Sequence, residues 1–428
     1  MTFNQKAIVY IFLEGDGYTP AGTLEFYPTE DRCSFRYGKK YLARSNALPL
    51  DPVKLPLLDM YFYTEREQAI FNVFRDAAPD KWGRRVISVM AGMKAETMTE
   101  FEVLTALHPQ CRIGAIAFGE DPHSGPKSLA SWYKGDVLIK SSDDLAEIAR
   151  YVRLVDEIED EDLETFRETL PSNDFLKALA TSLSPVGGAR PKALVRYENK
   201  DWIAKFPKRG DIWNEPLIEH ACMTMAGQCG IWIPETKIVN SNNVDVLLVE
   251  RFDRDASGNP RHFASGFTIG DIQEDGHWKS YQHLAASARY LGAANIGEQI
   301  FRRMVFNILV ANTDDHPRNH AFFIYGNRIE LTPAYDIVPC RLRLNYELAL
   351  RCGKYGNIAS LENALSDTGP FGLTLEESKA IILDMQQTIQ AWPIIFDKLG
   401  VNKADINELD FRFSHCEYIS KDDSDFEI

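Results

Sequence analysis

The sequence predicts an α+β fold assembled from consecutive parts, and three observations predict it. Up to about residue 120, short aromatic or β-branched segments alternate with turns rich in Gly, Pro and Asp. An acidic, helix-patterned stretch follows at 141–170. From about 180 strands and helices alternate, and after about 285 the pattern is almost entirely helical. A chain of 428 residues, 45% hydrophobic and 25% charged, belongs with soluble globular proteins of two or three domains. It is long enough to bury a core without a disulfide or metal staple.

Taken in order, Ala7–Leu13, Gly22–Tyr27, Ser34–Tyr37 and Tyr41–Leu42 read as strands, with Gly15-Asp16-Gly17 and Gly38-Lys39-Lys40 as hairpin loops. Helical patterns run from Glu65 to Met90 and from Glu100 to Leu107, and Ile113–Phe118 reads as a closing strand. Leu145, Ile148, Tyr151 and Val152 recur at helical spacing, ahead of a solvated acidic run at Asp156–Asp162. Further strands are expected at Val195, Trp202–Phe206, Thr236–Val239 and Val244–Glu250, with a helix from Pro216 to Ala226. The divisions this implies are a β-rich part at 1–120, an acidic helical connector at 121–175, a strand-bearing lobe at 176–255 and a helical lobe at 256–428.

Composition excludes several classes. A net charge of -15 and a pI near 5.2 argue against autonomous nucleic-acid binding, which needs clustered Lys and Arg. Arg75, Lys81 and Gly83-Arg84-Arg85 form one basic patch, read as solvated surface. Seven scattered cysteines without a CxxC pair fit a reducing cytosol rather than a disulfide framework or zinc site. No segment approaches the ~20 apolar residues of a membrane span, and the apolar run Ala7–Leu13 lacks the flanks of a signal peptide. The expected location is cytoplasmic, with no membrane partner.

The most informative stretch is Asn312-Thr313-Asp314-Asp315-His316-Pro317-Arg318-Asn319-His320. Phosphoryl transfer to a hydroxyl needs a carboxylate beside the attacking oxygen and a metal clamp on the phosphates. Asp314 and Asn319 stand at the spacing of catalytic base and metal-binding Asn in a protein-kinase catalytic loop. Asp336 follows a strand-like Ile329-Glu330-Leu331 and completes a set of hard oxygen ligands suited to magnesium. Any one of Asp314, Asp315 and Asn319 alone is more readily a cap or a surface-turn residue; the set carries the chemistry. Upstream, the turn from Ser182 to Lys192 contains Gly187, Gly188 and Ala189, whose backbone N–H groups could face phosphate oxygens, although alone it reads as a plain β-turn. Lys205 lies on an apolar strand, either reaching for phosphates or snorkelling from an edge. Glu219 on the next helix is its expected partner, with Glu215 as the alternative. Glu250, Phe252 and Asp253 would then sit on a connector at a nucleotide's adenine and ribose edge.

At this point the chain resembles the HipA family. The resemblance rests on Gly188-Ala189-Arg190-Pro191-Lys192, Glu250-Arg251-Phe252-Asp253-Arg254, Thr313–Asn319 and Leu331–Ile337, with Ala78-Pro79-Asp80-Lys81-Trp82-Gly83-Arg84-Arg85 and Arg112-Ile113-Gly114-Ala115 upstream. It implies a two-lobed protein-kinase-like fold with a β-rich N-terminal subdomain, a nucleotide-binding lobe and an all-helical C-terminal lobe. It further implies an ATP- and magnesium-dependent serine/threonine kinase in which Lys205 meets the phosphates, Asp314 is the base, Asn319 and Asp336 hold magnesium and His316 braces the loop. Glu250 and Phe252 would line the adenine site through backbone groups, with Asp253 beside the ribose. The family's Gly-rich loop often carries a serine whose autophosphorylation silences the kinase. Counting back from Gly188 lands on Pro185, which leaves Ser182 and Ser184 both as candidates. The same resemblance implies an aminoacyl-tRNA synthetase as protein substrate and a HipB-like helix-turn-helix antitoxin, with DNA reached only through that partner. Two rivals stand beside it: a catalytically silent corepressor or scaffold, and a metallohydrolase built on Asp314, Asp315, His316 and His320.

Overall fold

The computed structural model describes residues 5–131, 139–159, 161–168, 190–272, 279–340 and 347–414. The chain is mixed α+β, with a β-rich N-terminal part and a helical C-terminal part.

The first sheet is antiparallel in the order β4-β3-β2-β1-β5, from β1 (Gln5–Leu13), β2 (Gly17–Tyr27), β3 (Arg32–Tyr37), β4 (Phe62–Tyr63) and β5 (Ile116–Gly119). Gly15 and Gly17 close the first hairpin at positive φ, where a side chain would be strained. Tyr41–Leu42, expected as a strand, instead belongs to a short helix, Lys39–Leu42. Gly38 is that helix's extended N-cap rather than a hairpin loop, and the Tyr41 hydroxyl donates to the Leu48 carbonyl at 2.7 Å, drawing the ring inward. The helical pattern over 65–90 resolves into two helices, Asn72–Asp76 and Lys81–Ala91. Pro79 breaks the run because it offers no N–H. Asp80 restarts it as an N-cap accepting from the Gly83 N–H, and Gly92 ends it in the left-handed conformation.

The second sheet has the order β6-β7-β8-β10-β9, from β6 (Lys140–Ser141), β7 (Lys192–Tyr197), β8 (Lys200–Lys205), β9 (Thr236–Ser241) and β10 (Val244–Glu250). Its two hairpins turn on Glu198-Asn199 and Asn242-Asn243, all four at positive φ, as two-residue hairpin turns of the twist-matched type demand. The Lys81–Ala91 helix and the Leu145–Glu157 helix pack on this sheet: Trp82, Val86, Ile148 and Val152 share one core with Leu194, Trp202 and Leu248. The N-terminal part therefore joins the second sheet by burial, not by a linker alone.

The helical lobe carries a three-stranded sheet, β11 (Phe263–Ser265), β12 (Ala321–Tyr325) and β13 (Arg328–Leu331), set among helices that include Tyr281–Tyr290, Ile296–Leu309 and Leu375–Ile389. Asp76 crosses from the N-terminal part to this lobe, accepting from the Ser265 N–H at 2.8 Å, the Ser265 hydroxyl at 2.6 Å and the Thr268 hydroxyl at 2.7 Å. Among the described residues no helix is long and apolar enough to cross a membrane.

Candidate active site

A cleft of about 840 Å³, its open mouth included, lies between the second sheet and the helical lobe. Ile203, Val249 and Phe263 give it an apolar wall, Lys205 and Glu219 stand at one end, and Glu250, Phe252 and Asp253 at the other. Arg75, Asp76, Ala78 and Asp80 close a further side from the N-terminal part.

Lys205 ends β8, hydrogen-bonded between β7 and β10, so its ammonium has no route to bulk water and must find carboxylates. It finds two: Glu219 Oε1 at 2.5 Å and Asp336 Oδ1 at 2.8 Å. Burial alone would depress the lysine, but Asp336 and Glu219 outweigh it and hold the ammonium charged. Glu219 is brought there by the Glu215–Gln228 helix, whose start is set by Asn214 as N-cap and Pro216 in the first turn. Glu215, the alternative partner, is instead spent on Arg190 at 2.7 Å and on the Trp213 indole N–H.

Asp336 sits at φ 61°, a left-handed conformation that a non-glycine residue adopts at a cost of about 1–2 kcal/mol. Such strain collects at functional turns. Burial raises its carboxyl, yet Lys205 pulls harder and Lys192 and His316 add to the pull, so Asp336 stays below the ordinary carboxylate range.

The Asp314–His320 loop follows the Ile296–Leu309 helix and is pinned from beneath. Asp315 is buried, accepts from the Tyr281 hydroxyl and pairs with His320 Nε2 at 2.9 Å. Asn307 continues the brace, its amide N–H₂ donating to the Tyr281 oxygen at 3.2 Å while its carbonyl accepts from Asn312 at 3.0 Å. The bracing expected of His316 is thus carried by Asp315, His320 and Tyr281, whereas His316 Nδ1 is buried without a hydrogen-bond partner. His316 lies instead in the electrostatic reach of both Asp314 and Asp336. Asp314 itself faces solvent. Its carboxyl is raised, first by partial burial and then, against the pull of His316, by the nearby Asp336 and Asp315 charges. Asn319 donates its amide N–H₂ to the Asp314 carbonyl at 3.2 Å, leaving Oδ1 buried and without a partner. An orphaned amide oxygen and a half-open carboxylate, Asp336, match the few hard protein ligands that magnesium takes beside phosphates.

At the connector end, Glu250 pairs with Lys200 at 2.7 Å. The Phe252 ring stacks on Tyr335 at 5.4 Å and 28°, coupling the connector to the turn that carries Asp336. Asp253 lines the cleft, but its carboxylate is saturated by two Arg251 bonds at 2.9 and 2.7 Å, Arg254 at 2.7 Å and the Gly114 N–H at 2.8 Å. Those partners hold it at about 2 despite full burial. It therefore fastens the connector to the N-terminal part rather than offering an oxygen to a ribose. Gly187, Gly188, Ala189, Ser182 and Ser184 lie outside the described residues.

The HipA-like C-terminal domain family matches residues 184–392, and the HipA N-terminal domain family matches residues 11–119. The serine/threonine-protein kinase toxin HipA of Shewanella oneidensis is 27% identical over 200 residues, covering 39% of this chain and 45% of the relative. The chain aligns with between 37% and 45% of the length of the curated relatives it matches first. Among solved structures, Shewanella oneidensis HipA, determined with HipB and its operator DNA, superposes with a TM-score of 0.65. That match has 18% identity and covers 95% of each chain.

Proposed function

The chain belongs to the HipA family, and from that premise we propose that it is a serine/threonine protein kinase using ATP and magnesium. The observation that carries the reading is the Lys205 ammonium held between Glu219 and Asp336 at the end of the cleft. That three-residue contact is what a phosphate-orienting lysine, its helix partner and a metal-binding aspartate require.

In this reading Lys205 binds the phosphates and Asp314 accepts the proton of the attacking hydroxyl. Asn319 and Asp336 hold the metal, which when bound neutralises charge on the phosphates. Ile203, Val249 and Phe263 exclude water from the base pocket, with Glu250 and Phe252 presenting the connector backbone to the adenine edge. The raised carboxyl of Asp314 suits a general base, whose proton affinity must approach that of the working medium. Autophosphorylation is assigned to Ser182 or Ser184, ahead of Gly187, Gly188 and Ala189, because a phosphate there adds close to two negative charges where ATP phosphates must enter. By analogy with the HipA solved with HipB and operator DNA, the partner is a HipB-like helix-turn-helix antitoxin. An aminoacyl-tRNA synthetase as substrate and a cytoplasmic location complete the proposal. The hydrolase alternative loses its ligands, since Asp315 and His320 are spent on each other.

The test is transfer of label from γ-labelled ATP with magnesium, beside Asp314→Ala. Loss of a positioned base should slow transfer about 10²–10⁴-fold while nucleotide binding persists. A wild-type chain that binds no nucleotide would falsify the kinase reading; one that binds without transfer to itself or to a synthetase supports the scaffold reading.

A further inference from the structure

The Asp315 brace holds the catalytic loop by its side chains; the backbone beyond Pro317 is held from another direction. The carbonyls on either side of Asn319 are both taken. The Tyr335 hydroxyl donates to the Arg318 carbonyl, and the Gly266 N–H donates to the His320 carbonyl at 2.7 Å. Asn319, whose Oδ1 is buried without a hydrogen-bond partner, thus sits between two anchors. One anchor is next to Asp336 in the chain. The other belongs to the short helix Gly266–Ile269. A Cβ at Gly266 would stand 2.7 Å from the Pro317 carbonyl oxygen, closer than a side chain can come, so only bare backbone lets this turn lie so near the loop. The Arg318 guanidinium adds a contact of its own, 5.6 Å from the centre of the Phe267 ring.

The N-terminal domain seats that turn. Its Asn72–Asp76 helix meets the turn with two residues four apart, on one helix face. Asp76 Oδ2 accepts from the Ser265 N–H at 2.8 Å and the Thr268 hydroxyl at 2.7 Å, and Oδ1 accepts from the Ser265 hydroxyl at 2.6 Å. Asn72 donates its amide N–H₂ to the Phe267 and Ile272 carbonyls, each at 3.3 Å. The Ser265 hydroxyl, its hydrogen spent on Asp76, still accepts from the Phe267 N–H at 3.2 Å and caps the turn. Ser265 and Thr268 are buried. Without the Asp76 oxygens their donors have little water to turn to, and a donor left unsatisfied in such a place is costly enough to shift the turn.

We propose that Asp76 is a positioning residue for phosphoryl transfer: from the N-terminal domain it seats the Ser265–Ile269 turn against the catalytic loop, and so fixes Asn319 in place as a ligand for a divalent cation. This rests on the kinase reading of the cleft and extends it to a residue outside both lobes. Metal affinity then depends on the N-terminal domain being docked. The dependence runs through hydrogen bonds from Asp76 to the turn and from Gly266 to the loop.

The test compares wild type, Asp76→Ala, Asp76→Asn, Gly266→Ala and Thr64→Val. Two quantities are read: the magnesium concentration giving half-maximal transfer from labelled ATP, and the magnesium dependence of binding a fluorescent ATP analogue, which needs no turnover. In Asp76→Ala both midpoints should rise about tenfold, the low end of the cost of losing a residue that orients a metal ligand. Asp76→Asn keeps a carbonyl oxygen for the Ser265 N–H and the Thr268 hydroxyl, and its N–H₂ can donate to the Ser265 oxygen. Its midpoints should therefore stay near wild type. Gly266→Ala leaves the clamp intact but drives a methyl at the Pro317 carbonyl, and should raise both midpoints as well. Thr64→Val is the control, since it deletes a buried acceptor of the Cys33 N–H within the first sheet. It should lower the melting temperature and leave the midpoints alone. An Asp76→Ala chain that behaves like Thr64→Val makes the clamp purely structural and overturns the inference. So does an Asp76→Asn chain as impaired as Asp76→Ala, because charge and not seating would then be at work, and so does an unmoved midpoint in Gly266→Ala. If Asp76→Ala does not fold, Thr268→Val decides by removing one of the three bonds: a raised midpoint supports the inference and a wild-type midpoint overturns it. Wild type that binds no analogue removes the kinase reading and this inference with it, whereas magnesium-dependent wild-type binding beside an unchanged Asp76→Ala removes the inference alone.

Discussion

Asp253 and Asp314 mark the two ends of the site, and they are treated in opposite ways. Asp253 is buried, and four hydrogen bonds from Arg251, Arg254 and Gly114 consume its oxygens. Asp314 faces solvent, accepts no side-chain hydrogen bond among those described, and is pushed up by burial and neighbouring carboxylates. A carboxylate with every lone pair occupied can hold parts together but has nothing left to offer a reactant. One whose charge is left uncompensated is costly to the fold and available for proton transfer. Much of what the chain invests around Asp314 lies one residue on, in the Asp315–His320–Tyr281 brace, which fixes the loop without touching the reactive oxygens.

The largest way to break this contrast is Asp253→Ala. It leaves the Arg251 and Arg254 guanidinium groups buried without their carboxylate, and removing one partner of such a pair costs about 3–5 kcal/mol. Chemical denaturation should show that loss, whereas Asp314→Ala should stay within about 0.5 kcal/mol of wild type, as an accessible position allows. Equal effects in the two variants would remove the distinction. The pH dependence carries the same sign. Asp253 falls from an ordinary 3.8 to about 2 on folding, so folding favours its ionised form. Its contribution of about 2 kcal/mol is complete above pH 3.8 and is lost as pH falls through about 2.

How much of this was legible in the sequence follows from separation along the chain. Asp314 and Asn319 share one short loop, and Asp336 sits on the turn after the next hairpin, so spacing alone brings them into consideration. Lys205 and Glu219 are 14 residues apart on a strand and the following helix, close enough for the pairing to be anticipated. The clamp on Asp253 was not legible, because Gly114 lies 139 residues upstream and nothing in a glycine announces its N–H as a donor. Asp80 and Lys192 each fall inside a recognisable motif, but no local pattern says that a helix cap in one domain will neutralise a strand lysine in another. Tyr41–Leu42 differs for another reason: two aromatic-aliphatic residues suit a strand, but the segment makes one helical turn, with the Tyr41 hydroxyl bonded to the Leu48 carbonyl seven residues on.

A direct titration sharpens the comparison further. Carboxyl carbon NMR of labelled aspartates should place the Asp314 midpoint above the ordinary 3.8 and that of Asp253 well below it. Because the folded value of Asp314 is raised, ionising it opposes folding, and the group gives stability only below its folded midpoint. For transfer the sign reverses: the base works deprotonated, so the rate rises with pH through that midpoint. Midpoints in the opposite order would contradict the assignment of Asp314 as the poised group and Asp253 as the fastened one.

The smallest expected effect tests the brace between these extremes. Tyr281→Phe deletes the hydroxyl that donates to Asp315 and accepts from Asn307, while keeping the ring and its edge contact with His320 at 5.6 Å. A buried carboxylate that loses one charged hydrogen bond costs about 1.5–3 kcal/mol, reduced here because His320 still serves the same oxygen. Stability should therefore fall by less than for Asp253→Ala, and the melting curve checks it. Transfer should slow through a lower maximal rate with nucleotide affinity unchanged, because the loop loosens under Asp314 and not under Lys205. Weakened nucleotide binding with an unaltered maximal rate would show instead that the brace serves the cleft, and the division between fastened and poised carboxylates would have to be redrawn at Asp315.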